Sequence, residues 1–191
     1  VKAFYSDDNW EHMVIPGMVY SSQPTESGTL YTKQQLTDIY AACKQWDLPL
    51  FIDGARLGYG LASEETDLTL EDIARLCDVF YIGGTKVGAL FGEAVVISDN
   101  KLKKDFRYHI KQNGGLLAKG RLLGIQFIGL FDERKLYYKV SQHAIAQAMR
   151  IKTAFEEAGC KFRYDSPTNQ QFPILPNNIM EKLGEKYAFS F

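Results

Sequence analysis

Hydrophobic positions in the first hundred residues follow two rhythms. Short apolar runs, MVYSS (Met18–Ser22), LPLFID (Leu48–Asp53), DVFYIGG (Asp78–Gly84) and GEAVVIS (Gly92–Ser98), have the length and flanks of strands. Between them the spacing becomes helical. TKQQLTDIYAACKQWD sets Leu36, Ile39, Tyr40, Cys43 and Trp46 on one face behind Thr32, a capping residue. TLEDIARLC opens with a T-x-x-D capping box at Thr69 and Asp72. Strands that alternate with helices and are apolar throughout predict an α/β fold with a parallel sheet covered on both faces.

After Ser98 the pattern changes to long helical stretches. LKKDFRYHIKQNGGLLAKGRLLGIQFIGLF is one, broken at Gly114 and Gly115; LYYKVSQHAIAQAMRIKTAFEEAGC is another, stopping at Gly159. Tyr137, Tyr138, Ile145, Ala148 and Met149 read as its core positions. CKFRYD and NQQFPILP then predict strands of a smaller domain, and NNIMEKLGEKY its next helix. We expect a large domain over 1–135 and a small C-terminal one over 136–191. The chain opens at Val1 in mid-sentence and stops at an aromatic, strand-like YAFSF, so both domains are expected to be incomplete.

Composition changes the picture by exclusion. At 46% hydrophobic, 24% charged and a net charge of −1, with acids and bases intermixed, nothing favours nucleic acid or an anionic membrane as partner. No apolar run is long enough for a bilayer and no signal-peptide pattern is present. Cys43, Cys77 and Cys160 form no C-x-x-C pair and read as reduced thiols of a cytoplasmic protein. His12, His109 and His143 have no metal-ligand spacing.

The candidate chemistry lies where two apolar runs end. Ligands of parallel sheets bind beyond the carboxyl ends of the strands. FIDGARLG puts Asp53 and Arg56 there, and YIGGTKVG puts Lys86 there, in a setting of small residues: Gly83, Gly84, Thr85 and Gly88. A lysine with its pKa lowered is a nucleophile for carbonyls, and the commonest carbonyl cofactor is pyridoxal phosphate. That cofactor needs a carboxylate against its ring nitrogen, a role for Asp53. An amino-acid substrate needs its own carboxylate clamped, which arginine's planar fork does well; Arg56 is placed for it. Each half alone could equally be a strand-ending turn with an exposed lysine; the two together point to a site.

SSQPTESGTLYT, FIDGARLGYGL, DVFYIGGTKVGALFGEAVVI and GGLLAKGRLLGIQF, in this order, resemble the threonine aldolase and β-eliminating lyase group of fold-type-I pyridoxal-phosphate enzymes. The resemblance runs from about Val14 to the end. It implies the aspartate-aminotransferase-like fold, with Lys86 forming the Schiff base, Asp53 at the pyridine nitrogen and Arg56 on the substrate carboxylate. Thr85, and Ser21 and Gln23 in the loop after the first strand, are candidate cofactor contacts; Thr25 and Glu26 share that loop, where Pro24 and Gly28 suit a turn. Lys119 and Arg121 could supply cations to a phosphate across a dimer interface, or form a solvated helix face. The resemblance places the ring-stacking histidine and the phosphate loop upstream of Val1, and a further carboxylate-binding arginine beyond Phe191.

The expected activity is retro-aldol cleavage of a β-hydroxy amino acid such as threonine or allo-threonine to glycine and an aldehyde. The base that takes the hydroxyl proton is not identified. The alternatives are a β-eliminating lyase of the tryptophanase or tyrosine phenol-lyase type, whose motifs look less similar, and a truncated, non-catalytic remnant. The resemblance further implies a homodimer or homotetramer.

Overall fold

The computed structural model describes residues 1–188, so the last three positions of the YAFSF run lie outside the described residues. Four strands form one sheet in the order β1 (Val19–Ser22), β2 (Leu50–Asp53), β3 (Val79–Gly83), β4 (Glu93–Ile97). The first three are parallel, with Tyr20 opposite Phe51 and Phe51 opposite Val79. β4 runs antiparallel to β3, so the sheet is mostly, not wholly, parallel. The connection Gly84–Gly92 is too short to hold a crossover helix, so the chain must turn back on itself.

The α/β alternation follows the sequence pattern. A short helix α1 (Lys2–Tyr5) lies ahead of the sheet, its Tyr5 ring stacked on Trp46 at 5.0 Å. Helix α2 (Lys33–Gln45) starts at Thr32, whose hydroxyl accepts from the Gln35 amide while the Gln35 side chain accepts from the Thr32 amide. Helix α3 (Leu57–Ala62) directly follows Arg56, and α4 (Leu70–Arg75) begins at the Thr69–Asp72 capping box. Leu36 and Cys43 of α2 and Ile73 of α4, with Cys77, close over Leu50, Ile52 and Phe80 on one sheet face to make the main core.

The other face differs from the two-sided cover that continuous apolar strands predict. Tyr20 is 56% exposed and Val95 53%, so the face bearing Tyr20, Phe51, Asp53 and Tyr81 stands open there. The apolar alternates on this side carry rings and a carboxylate rather than a second aliphatic core.

The helical stretch after Ser98 is divided at the expected glycines. A 3-10 turn, Asn100–Lys103, leads to α5 (Phe106–Gln112); the chain breaks at Gly114, which has φ of +76°, and resumes as α6 (Arg121–Phe131). The longest helix, α7 (Leu136–Glu157), follows Lys135 in the left-handed region and stops before Gly159. Tyr137 and Ala148 are buried along it, and Tyr138 and Ile145 pack against the second core formed with Tyr59, Val87 and Leu130. A two-stranded antiparallel pair, β5 (Lys161–Phe162) and β6 (Pro173–Ile174), and α8 (Asn177–Gly184) complete the described chain.

Ser166 and Thr168, between β5 and β6, both donate to the Gly28 carbonyl, at 3.1 and 3.2 Å, and Ser63 donates to the Pro167 carbonyl. These bonds tie the C-terminal part to the loop after β1. The cysteines are all free thiols, Cys43 and Cys77 buried and Cys160 half-buried. Among the described residues no helix is long and apolar enough to cross a membrane.

Candidate active site at the ends of β2 and β3

The carboxyl ends of β2 and β3 lie side by side, with the Gly83 amide donating to the Gly54 carbonyl at 2.9 Å. Each strand end delivers one charged side chain. Asp53, the last residue of β2, sits on the open sheet face; Lys86 sits in the turn after β3 with its side chain exposed. The structure therefore brings together the acid and the lysine that the two motifs single out.

Asp53 is heavily solvated by the protein itself. The Tyr20 hydroxyl donates to Oδ2, the Tyr81 hydroxyl to Oδ1, and the Ala55 amide to Oδ1 at 2.9 Å. Burial pushes the carboxyl pKa up, but the hydrogen bonds from Tyr20, Tyr81 and Ala55, with the charge of Lys86, more than reverse this and hold it below the usual carboxylate range. The phenols respond in the opposite sense. Tyr20 is pushed up to about 12, chiefly by its bond to Asp53, and Tyr81 is raised by burial and then by Asp53. Asp53 is thus an anion at neutral pH and both tyrosines are neutral donors.

The Lys86 turn is held from two sides. Tyr59 of α3 donates its hydroxyl to the Lys86 carbonyl. Glu93, the first residue of β4, accepts the Gly84 amide at 2.6 Å and the Thr85 hydroxyl at 3.2 Å. Thr85 is exposed and engaged with Glu93.

Arg56, read from the sequence as the start of a loop, is instead the N-cap residue of α3. Its guanidinium meets Glu26 at 3.5 Å, and Glu26 is 75% exposed in its side chain. Such a contact is weak and exchangeable. Ser21 donates to the Tyr31 hydroxyl at 3.2 Å.

Gln23 stands differently from the expectation of a cofactor contact. It is 1% exposed, its amide oxygen accepts the Tyr31 N–H at 3.0 Å and its amide nitrogen donates to the Tyr31 carbonyl at 3.3 Å. A buried amide satisfied at both ends fastens the loop 23–31 and presents no polar atom outward. Its backbone N–H donates to the Asp53 carbonyl, so this fastening also steadies the end of β2. Lys119 and Arg121, before and at the start of α6, are exposed, as a solvated helix face requires.

Sequence reasoning passed over Tyr20, Tyr81, Tyr59 and Glu93. The first two carry a signal in strand parity. With Tyr20 opposite Phe51, and Tyr81 two residues beyond the partner of Phe51, both share the face of Asp53. That parity becomes readable only once the register is known. Glu93 and Tyr59 reach the lysine turn from separate elements and leave no local signal.

Comparison with known proteins agrees with this architecture. The family described as Beta-eliminating lyase matches residues 1–175. A low specificity L-threonine aldolase of a Pseudomonas species is 37% identical over 179 residues, covering 92% of this chain and 51% of that protein. A protein of the same name from Pseudomonas aeruginosa is 34% identical over 176 residues, covering 91% of this chain and 48% of its own length. The solved structure of Leishmania major threonine aldolase superposes with a TM-score of 0.92 at 48% identity, covering 98% of this chain and 54% of that one. Cystalysin from Treponema denticola, at 16% identity and a TM-score of 0.64, shares the fold, over 89% of this chain and 46% of its own. The chain spans about half the length of the relatives it matches.

Proposed function

The chain belongs to the β-eliminating lyase family, and from that premise we propose that it forms part of a pyridoxal-phosphate-dependent lyase that cleaves a β-hydroxy amino acid, of the threonine or allo-threonine type, to glycine and an aldehyde. The observation that carries the reading is the pairing of an ionised Asp53 at the end of β2 with Lys86 in the turn after the adjoining β3.

The residues present fit the cofactor. Asp53 is an anion recessed on the sheet face, suited to hold a proton on a ring nitrogen. Lys86 carries the exposed amine that would take the aldehyde, and it lies beside the open sheet face that bears Asp53. Bound there, pyridoxal phosphate supplies an electron sink for the pair released when the Cα–Cβ bond breaks.

The remaining work falls to the chain's own groups. Arg56 can exchange Glu26 for a substrate carboxylate and, by holding it in a fork, set the orientation of the substrate about Cα. Glu93 and Tyr59 hold the Lys86 turn in place. Thr85 and Ser21 are proposed to contact the cofactor directly, and Gln23 to act through the loop it fastens. We place the division between large and small domains at 135/136, where α7 begins. Self-association as a homodimer or homotetramer is supported by the exposed apolar stripe Leu122, Ile125 and Ile128 on α6. The free cysteines support a cytoplasmic setting.

The test is trapping. Incubation with pyridoxal phosphate, reduction with borohydride and peptide mapping should give an adduct on Lys86 that is absent from Lys86→Ala. Labelling scattered over surface lysines, or unchanged in the variant, would overturn the reading. Product analysis then separates the chemistries: glycine with an aldehyde marks aldol cleavage, ammonia marks β-elimination.

A further inference from the structure

We propose that Tyr20 and Tyr81 are positioning residues for the cofactor site, which grip Asp53 from opposite sides and leave one acceptor place, on Oδ2, for the ring nitrogen. This rests on the pyridoxal-phosphate reading and goes beyond it, because it assigns a role to two side chains on the open face of the sheet.

The count of donors makes the argument. A carboxylate offers about four acceptor places, two on each oxygen. Oδ1 of Asp53 already takes two donors, the Tyr81 hydroxyl and the Ala55 amide; Oδ2 takes one, the Tyr20 hydroxyl. The place left is on Oδ2. With three donors fixed by three different elements of backbone, the carboxyl group cannot turn about its own axis without breaking two or more of them. A ring N–H arriving at Oδ2 therefore meets an acceptor already oriented and already charged, which lowers the cost of ordering the site on binding.

The phenols are themselves held. Tyr20 stacks on Phe51 with ring centroids 5.4 Å apart and planes within 7°, and Phe51 meets Tyr81 at 6.1 Å. The three rings run across β1, β2 and β3 on the face that carries Asp53, so Phe51 sets the position of the hydroxyl on either side of it. The charged groups that act on this cluster are few. Lys86 favours the Asp53 anion; Glu26 acts on Tyr20 and Glu93 on Tyr81, both disfavouring phenolate, so each hydroxyl keeps its proton for Asp53.

The experiment compares the chain with Tyr20→Phe, Tyr81→Phe and the double variant, each of which keeps the ring and removes the hydroxyl. Two readouts are needed besides activity: the titration midpoint of the Asp53 carboxyl by carbon-detected NMR without cofactor, and the dissociation constant of pyridoxal phosphate from its absorbance. The Asp53 midpoint should rise in each single variant and further in the double. Cofactor affinity should fall roughly tenfold or more in the double variant, the fold-change expected for loss of hydrogen bonds to a charged group. An unchanged midpoint, or an unchanged affinity in a double variant whose circular dichroism matches wild type, overturns the inference. If the double variant fails to fold, Tyr20→Phe alone decides, since Tyr20 is largely exposed and contributes little to the core. Failure of wild type to bind the cofactor or to label at Lys86 overturns the pyridoxal-phosphate reading instead, which is a different outcome from normal wild-type binding with indifferent variants.

Discussion

Gly54 and Tyr81 stand so close that a Cβ built on the glycine would lie 1.8 Å from the tyrosine's carbonyl oxygen. The contact is backbone to backbone, so no side chain can swing away to relieve it. A Cβ on Gly83 would likewise meet the Ala55 carbonyl at 2.4 Å. The small residues that follow Asp53 and precede Lys86 are therefore what lets β2 and β3 end in contact, with their charged groups adjacent.

Substituting Gly54→Ala or Gly83→Ala should accordingly force the strand ends apart. Overpacking of this kind costs about 1–3 kcal/mol, and backbone contacts lie at the upper end. Urea unfolding should show a lowered midpoint for both variants, and cofactor trapping at Lys86 should fall even where the fold survives. A midpoint equal to wild type would mean the strand ends separate without cost.

Glu93 supplies a second prediction. It accepts both the Gly84 amide and the Thr85 hydroxyl; in Glu93→Ala the exposed Thr85 hydroxyl turns to water, but the buried Gly84 amide loses its acceptor. The expected loss of stability is about 1–3 kcal/mol. Glu93→Gln retains an acceptor oxygen and should recover most of it. Thermal unfolding distinguishes the two variants, and hydrogen exchange at Gly84 should quicken only in the alanine.

Asp72 makes stability depend on pH in a defined window. Lys33, at 2.8 Å, and the Thr69 amide hold its carboxyl down to about 2. The unfolded chain binds this proton at about 3.9, so the stabilisation is complete above about pH 4 and is lost as pH falls towards the folded value. Asp72→Asn should thus be less stable than wild type at neutral pH. The gap should close between about pH 4 and pH 2, measured as urea midpoints across that range.

Asp78 tests the buried end of the sheet. It is 1% exposed, accepts the Leu50 amide at 2.7 Å and pairs with Lys44. Removing Asp78 lets Lys44, whose side chain is 43% exposed, return to water but strands the buried Leu50 amide, at a cost of about 1–3 kcal/mol. Asp78→Ala should reach that range in equilibrium unfolding, and Asp78→Asn, which keeps an acceptor for Leu50, should cost less.

Much of this protein was determined by local sequence. The capping boxes at Thr32 and Thr69, the apolar runs that became β1 to β4 and the stop at Gly159 act over a few residues, and each formed where the pattern predicts. The same holds for the placement of Asp53 and Lys86, because a strand end is a local feature and a parallel register carries neighbouring ends to one edge. Tertiary structure decided the rest. The reversal of β4 came from the length of a connection, whereas the helix after Ser98 divides at Gly114, where the sequence places its break. Arg56 became a helix cap, and Gln23 turned inward because the Tyr31 backbone offered it both a donor and an acceptor. Above all, the tyrosines on Asp53 come from strands far apart in the chain. Side-chain period in a strand gives parity but not phase between strands, and only pairing fixes which rings share a face with the acid.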